Sequence, residues 1–191
     1  MLTDNQLIAA LASMPILSTQ GEVCRVIHIR YANTALSSIG SLKTGGRYNQ
    51  KSAFQALYLA DNPVTALLEV EALLKTRTEL TYVPKPPLIV LSIYYQLNAI
   101  LDLTNLNNQR SLGTNLHELT GNRLLMNAQS QLAPTQILGE AAYSLQSIEA
   151  LKIPSARDPN NYNLVVFPDR LLANSFLCVY DDSGTINAQL P

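Results

Sequence analysis

Apolar and polar positions fall into short blocks of two periods, one near 3.6 residues and one near 2. Residues 4–13 place Leu7, Ile8 and Leu11 on one helical face, with Asp4 as N-cap and Pro15 as the stop. "VCRVIHIRY" (23–31) alternates as a strand, with Val23, Arg25, Ile27 and Ile29 on one side. An arginine on a β-branched face calls for an exposed strand end or an inward partner for Arg25. A Ser/Gly/Thr-rich stretch over 37–46 reads as a loop, and "ALYLA" (56–60) as a short strand. "DNPVTALLEVEALLK" is a well-marked helix, capped by Asp61 or Asn62, with Pro63 in its first turn.

"PPLIVLSIYY" (86–95) and "AILDLT" (99–104) read as two further strands. Residues 105–133 are polar and hold one or two short helices. "PTQILGEAAYSLQ" (134–146) is a helix begun by Pro134. "SIEALKIPS" carries a strand into a Pro-Ser turn, "YNLVVFP" (162–168) is a strand closed by a proline, and "SFLCVYDD" (175–182) is a last strand. Strands and helices mix without a βαβ rhythm, so the fold class is α+β rather than doubly wound α/β.

Composition narrows the function. A length of 191 residues suits one domain, with residues 1–20 as an N-terminal helical extension and 21–191 as the domain proper. Charged residues are only 14% and the formal net charge is −1, which argues against nucleic acid or an acidic membrane as the partner. Cys24 and Cys178 lie in apolar surroundings and read as buried, reduced thiols rather than a disulfide. No signal peptide and no run of ~18 apolar residues is seen, so the expectation is a soluble cytoplasmic protein. His28 and His117 have no ligand-spaced partners, which argues against a zinc site, and no common nucleotide-binding loop or serine elbow occurs.

What remains is a set of arginines, tyrosines and carboxylates in the first 75 residues: Arg25, Arg30, Tyr31, Arg47, Tyr48, Tyr58, Glu69 and Glu71. Arginine recognises phosphate or carboxylate, tyrosine offers a stacking face and a hydroxyl, and a carboxylate binds ribose hydroxyls or faces an oxocarbenium ion. Together they suit a nucleotide-sugar substrate. At 100° per residue, Ala66, Leu67, Val70, Leu73 and Leu74 form the helix's main apolar face. Glu69 and Glu71 flank it on opposite sides, and periodicity does not choose between them.

The stretch "CRVIHIRYANTALSSIGSLKTGGRYNQKSAFQALYLADNPVTALLEVEAL" resembles the first half of RES domains, with their early arginine, Tyr-Ala, Gly-Gly-Arg and Ala-x-x-Glu-Val elements. "PTQILGEAA" and "LKIPSARDPNNYNLVVFPD" resemble the later Thr-Gln-x-Leu-Gly, Pro-Ser and Asn-Leu-Val-Phe-Pro elements, extending the likeness from residue 23 to about 170. Cys24 and Tyr48 stand where the family has tryptophan. The resemblance implies an ADP-ribosyltransferase-like split β core with flanking helices in a single domain. It implies a toxin of a toxin–antitoxin pair that cleaves the nicotinamide–ribose bond of NAD+ by phosphorolysis or hydrolysis, neutralised by an Xre-like antitoxin. The alternatives are an ADP-ribosyltransferase acting on a protein and a non-catalytic module that binds a nucleotide or a partner.

Carried over by position, the resemblance favours Glu69 over Glu71 and implies Glu69, Arg47 and Tyr58 as catalytic. It implies Arg25, Tyr31, Arg47, Tyr58 and Ser155 as NAD-binding: Arg25 and Arg47 on phosphates or ribose oxygens, Tyr31 and Tyr58 against nicotinamide, and Ser155 positioning ribose or the attacking water or phosphate. NAD+ enters as substrate, inorganic phosphate as the candidate co-substrate, and no cofactor or metal is required. A homo-oligomer is compatible with the sequence. Gly45 and Gly46 are expected to let the backbone aim Arg47 into the cleft.

Overall fold

A computed structural model describes residues 1–77, 87–121, 126–127 and 131–191. Its centre is a seven-stranded mixed sheet: β1 (Ile16–His28), β2 (Leu57–Ala60), β3 (Leu88–Asp102), β4 (Ala150–Pro154), β5 (Tyr162–Val166), β6 (Phe176–Tyr180) and β7 (Gln189–Leu190). The order is β1-β2-β5-β4-β3-β6-β7, and β1 also pairs with β3. That extra pairing closes five strands into a ring. β3 pairs with β1 along one edge and gives the other to β6 at residues 92–96 and to β4 at residues 100–102, so the core is split there.

The two runs expected as separate strands in 86–104 form one strand, β3. The hydrophobic phase slips because β3 carries an extra residue against β1, with Leu17 opposite Ile100 but Thr19 opposite Leu97. Leu91, Ile93, Tyr95 and Leu97 therefore share their core cluster with Ile100, across a change of parity. The bulge is held by Glu149, whose fully buried carboxylate accepts the N–H groups of Asn98 and Ala99, the Ser175 hydroxyl and the Leu172 N–H. β1 likewise extends back to Ile16 through pairing alone, since Ile16 and Leu17 are 38% and 41% exposed and show no strand pattern. At its other end the chain leaves β1 at His28 and forms a 3-10 turn over Ile29–Thr34, with His28 Nδ1 accepting the Arg30 N–H.

Strand parity divides the core. Val23, Leu57, Leu59, Leu91, Ile93, Leu164 and Val166 come from both halves of the ring and pack together on its enclosed side. Val165, Leu151 and Ile153 face the other way, under the helices. Those helices are α1 (Asp4–Ala12), α2 (Ile39–Thr44), α3 (Pro63–Arg77), α4 (Leu106–Ser111), α5 (Leu116–Thr120) and α6 (Pro134–Ser144). Leu7 and Leu11 seat α1 in the helix-side core, and its cap position is Thr3 rather than Asp4. α2 occupies most of the stretch expected as a loop, and α4 and α5 fall within the polar 105–133 stretch. Cys24 and Cys178 are half-buried and free; β3 runs between their strands, with Cys24 opposite Ser92 and Cys178 opposite Tyr94. Two strand spacings separate them by ~10 Å, beyond disulfide reach.

Candidate functional site

α3 follows β2 directly and starts where Asn62 Oδ1 accepts the Thr65 N–H at 2.9 Å, which selects Asn62 over Asp61 as the cap. The inward face of the helix is shifted from the one the apolar pattern indicates, keeping Ala66 and Val70 but turning Leu67 outward. Thr65 and Ala66 are buried and Glu69 and Val70 half-buried, whereas Leu67 is 43% exposed and Glu71 is exposed. The side chains of Leu73 and Leu74 lie outside the described residues. Polar bonds set this rotation: Thr65 Oγ1 donates to Asp158 Oδ2 at 2.8 Å, and Glu69 accepts from two buried groups across the same interface.

Those two groups are Ser155 Oγ and Asn163 Nδ2, each 2.9 Å from Glu69 Oε1. Ser155 is 2% exposed and Asn163 9%. Ser155 Oγ also accepts the N–H groups of Arg157 at 3.2 Å and Asp158 at 3.1 Å. One donated and two accepted bonds exhaust a hydroxyl. Ser155 thus holds Glu69 and the 155–158 turn with all three of these bonds.

The second cluster is the 45–50 turn. Gly45 sits at φ +71° and ends α2. A Cβ on Gly46 would stand 2.3 Å from the Tyr58 hydroxyl oxygen and 2.5 Å from Asn49 Oδ1. Glycine is needed at 46 because the Tyr58 hydroxyl occupies the turn, donating to Asn49 Oδ1 at 2.9 Å and accepting the Tyr48 N–H at 2.9 Å. α6 closes the turn from above. Gln136 Nε2 donates to Gly46 O at 3.2 Å, and a Cβ on Gly139 would stand 1.8 Å from Tyr48 O. Arg47 leaves this turn half-buried, with Nη1 donating to Gly121 O at 2.5 Å. Burial pushes the Tyr48 phenol well above its ordinary value.

Register links the two clusters. Tyr58 lies opposite Val165 and Ala60 opposite Asn163. Tyr58, Ala60, Asn163 and Val165 therefore share one face of β2 and β5, with Tyr58 about 7 Å along the strand from the position that meets Asn163. Arg25 starts from the other face, opposite Leu91 on the enclosed side. Its Nη1 donates to Ala35 O at 2.6 Å and its Nη2 to Ser37 O at 2.9 Å, and burial pulls the guanidinium down to about 10. Of the two alternatives for Arg25, an exposed strand end or a partner, the structure shows a partner, a pair of backbone carbonyls. Tyr31 is 47% exposed on the 3-10 turn, its hydroxyl accepting from Arg30 Nη2 at 2.7 Å with the guanidinium over its ring. Neither Arg25 nor Tyr31 hydrogen-bonds Glu69 or Ser155 among the described residues.

Among the predicted residues, then, Glu69 and Ser155 are in contact, the Tyr58 hydroxyl and Arg47 meet in the 45–50 turn, and Arg25 and Tyr31 bond to other groups. Sequence reading missed Asn163, Asn49 and Gly139 as parts of this network. Asn163 opens "NLVVFP" and Gly139 lies in "PTQILGEAA", so their places in recurring motifs were the available signal. A depression of about 260 Å³, lined in part by Lys152, Pro154, Asn161 and Tyr162, contains none of the predicted site residues. Among the described residues no group of three or more His, Cys, Asp or Glu is placed to hold a metal, and no helix is long and apolar enough to cross a membrane.

Comparison with known proteins agrees with this architecture. The RES domain family model matches residues 22–182. A chain in the crystal structure of the M. tuberculosis MbcT–MbcA toxin–antitoxin complex is similar at TM-score 0.75 and 23% identity, over 93% of this chain and 91% of that chain. No curated protein matches.

Proposed function

The chain belongs to the RES domain family, and on that premise we propose that it cleaves the nicotinamide–ribose bond of NAD+ with water or inorganic phosphate as acceptor. The observation that carries this reading is the Glu69 carboxylate, whose Oε1 is fixed by Ser155 and Asn163 beside the Tyr58–Arg47 turn. Heterolysis sends the C1′–N bonding pair into the pyridinium ring, releases neutral nicotinamide and leaves an oxocarbenium ion on the ribose. A fixed carboxylate stabilises that cation more than it stabilises the ground state. Water or phosphate then bonds to C1′, giving ADP-ribose, with the water's proton lost to solvent, or ADP-ribose 1″-phosphate.

The roles of the other residues follow their bonds. Arg47 faces the anionic substrate from the turn that Gly46 and Tyr58 build, and the exposed ring of Tyr31 offers a stacking surface at the rim. Arg25 acts by shaping the 35–37 backbone, since its guanidinium is already on two carbonyls. The fold likeness to a chain of a toxin–antitoxin complex supports a toxin role with an antitoxin partner, and the family resemblance suggests that this partner is Xre-like.

The test is purified protein, freed of any partner, incubated with NAD+ with and without phosphate while nicotinamide release is followed. Release in both buffers identifies hydrolysis, and release confined to phosphate buffer identifies phosphorolysis. NAD+ left intact in both overturns the proposal. Labelled ADP-ribose retained on a protein acceptor would replace it with a transferase reading.

A further inference from the structure

We propose that Asn163 is a positioning residue which, together with Ser155, saturates Glu69 Oε1 and leaves Oε2 as the oxygen that meets the substrate. This rests on the NAD+-cleavage reading above. A carboxylate oxygen has two lone-pair directions, and Oε1 receives two donors, Ser155 Oγ and Asn163 Nδ2, both at 2.9 Å. No donor reaches Oε2 among the described residues. The carboxylate is thereby held at one end and open at the other, which is the geometry a ribose hydroxyl or an electron-poor C1′ requires.

The carboxamide cannot easily give way. β5 is paired on both edges, with Asn163 between Ala60 of β2 and Ile153 of β4, so its backbone is fixed from two sides. The residue is 9% exposed, and a buried amide that lost its partner would bear an uncompensated desolvation cost. Its orientation is also determined, because Oδ1 in place of Nδ2 would set a carbonyl against a carboxylate. Ser155 is fixed in the same way, its hydroxyl taking the N–H groups of Arg157 and Asp158 as it donates to Glu69. Two rigid donors on one oxygen fix both the position of the carboxyl group and its rotation, which one donor would leave free.

The test compares NAD+ turnover by wild type, Asn163→Ala and Asn163→Asp. The expected result is a 10- to 100-fold fall in kcat for Asn163→Ala with KM within ~3-fold, the loss of one hydrogen bond to a charged group. Asn163→Asp keeps the shape and exchanges the donor for an acceptor. It should be poor at neutral pH and gain activity as pH falls, because a protonated aspartic acid can again donate to Glu69. A purely structural role would give the two variants the same flat deficit, following their loss in thermal stability. Wild-type kcat in Asn163→Ala, or a deficit in Asn163→Asp that is independent of pH, overturns the proposal while wild-type turnover keeps the NAD+ reading.

If wild type itself leaves NAD+ intact, that reading fails and the side-chain amide resonance of Asn163 decides the contact. A resonance that follows pH in wild type and stops doing so in Glu69→Gln upholds the Asn163–Glu69 bond. A resonance equally indifferent in both removes it.

Discussion

Ser155 Oγ donates to Glu69 Oε1 at 2.9 Å while accepting the N–H groups of Arg157 and Asp158. A residue expected to touch substrate or nucleophile instead spends its hydroxyl on another side chain and on its own turn. Ser155→Ala should lower kcat about 10-fold with little change in KM, and destabilise the protein by ~1–2 kcal/mol through the freed N–H groups. Steady-state kinetics and a urea melt check both. A rise in KM at unchanged kcat would mean that Ser155 binds substrate directly.

Arg25 has the opposite profile. Its guanidinium forks onto two carbonyls, a part-buried one at Ala35 and an exposed one at Ser37, a geometry a lysine cannot reproduce. Arg25→Lys should cost ~2 kcal/mol or more, read as a lower urea midpoint, and alter KM for NAD+ less than Arg47→Ala does. A large KM effect in a variant of wild-type stability would place Arg25 on the substrate.

Gly139 and Gly46 are sites of close approach. The Cβ of Gly139→Ala would meet a backbone oxygen at 1.8 Å, and that of Gly46→Ala a phenol oxygen at 2.3 Å. Both variants should lose turnover by displacing the Arg47 turn. Gly139→Ala should also lower the melting temperature more, because a backbone carbonyl yields less readily than a side chain. A cost of ~1–3 kcal/mol is typical of overpacking. The double variant Gly46→Ala/Tyr58→Phe removes only one of three close contacts, leaving Asn49 Oδ1 at 2.5 Å and the ring carbon at 2.6 Å, and should recover neither the stability nor the turn's hydrogen bonds.

Glu149 is fully buried and holds the β3 bulge with four donors. Glu149→Ala orphans them and should cost ~3 kcal/mol or more. Glu149→Gln should also destabilise, since its NH₂ would face N–H groups. Urea denaturation measures both, and a midpoint unchanged in either variant refutes this account of the bulge.

Tyr95 gives a pH dependence. Burial, reinforced by the neighbouring Tyr162 hydroxyl, pushes its phenol up to about 12, against an unfolded value near 10. The folded state binds this proton more tightly, so the contribution is fully present below pH ~10 and is lost as pH rises towards 12. Tyr95→Phe should flatten the fall in stability over that window. Part of the slope should persist from Tyr48, whose phenol is raised in the same direction.

Resemblance to RES domains, and not helical period, singled out Glu69 and Ser155; the amino-acid order by itself determined the α+β class and most element centres. These are local properties, set by period, caps and turn chemistry. It also placed Val23, Arg25 and Ile27 on one face, which the register confirms. Only the tertiary structure decided which way α3 turns. Its inward face is set by hydrogen bonds with Asp158, Ser155 and Asn163, residues some ninety positions away along the chain, together with only part of its own apolar stripe, Ala66 and Val70. The same holds for the single long β3, whose phase slip needs Glu149, and for the Arg47 turn, which needs Gln136 and Gly139. A pattern along the chain records what each segment would bury. The carboxylate or glycine that overrides it acts through space, from a segment the pattern cannot see.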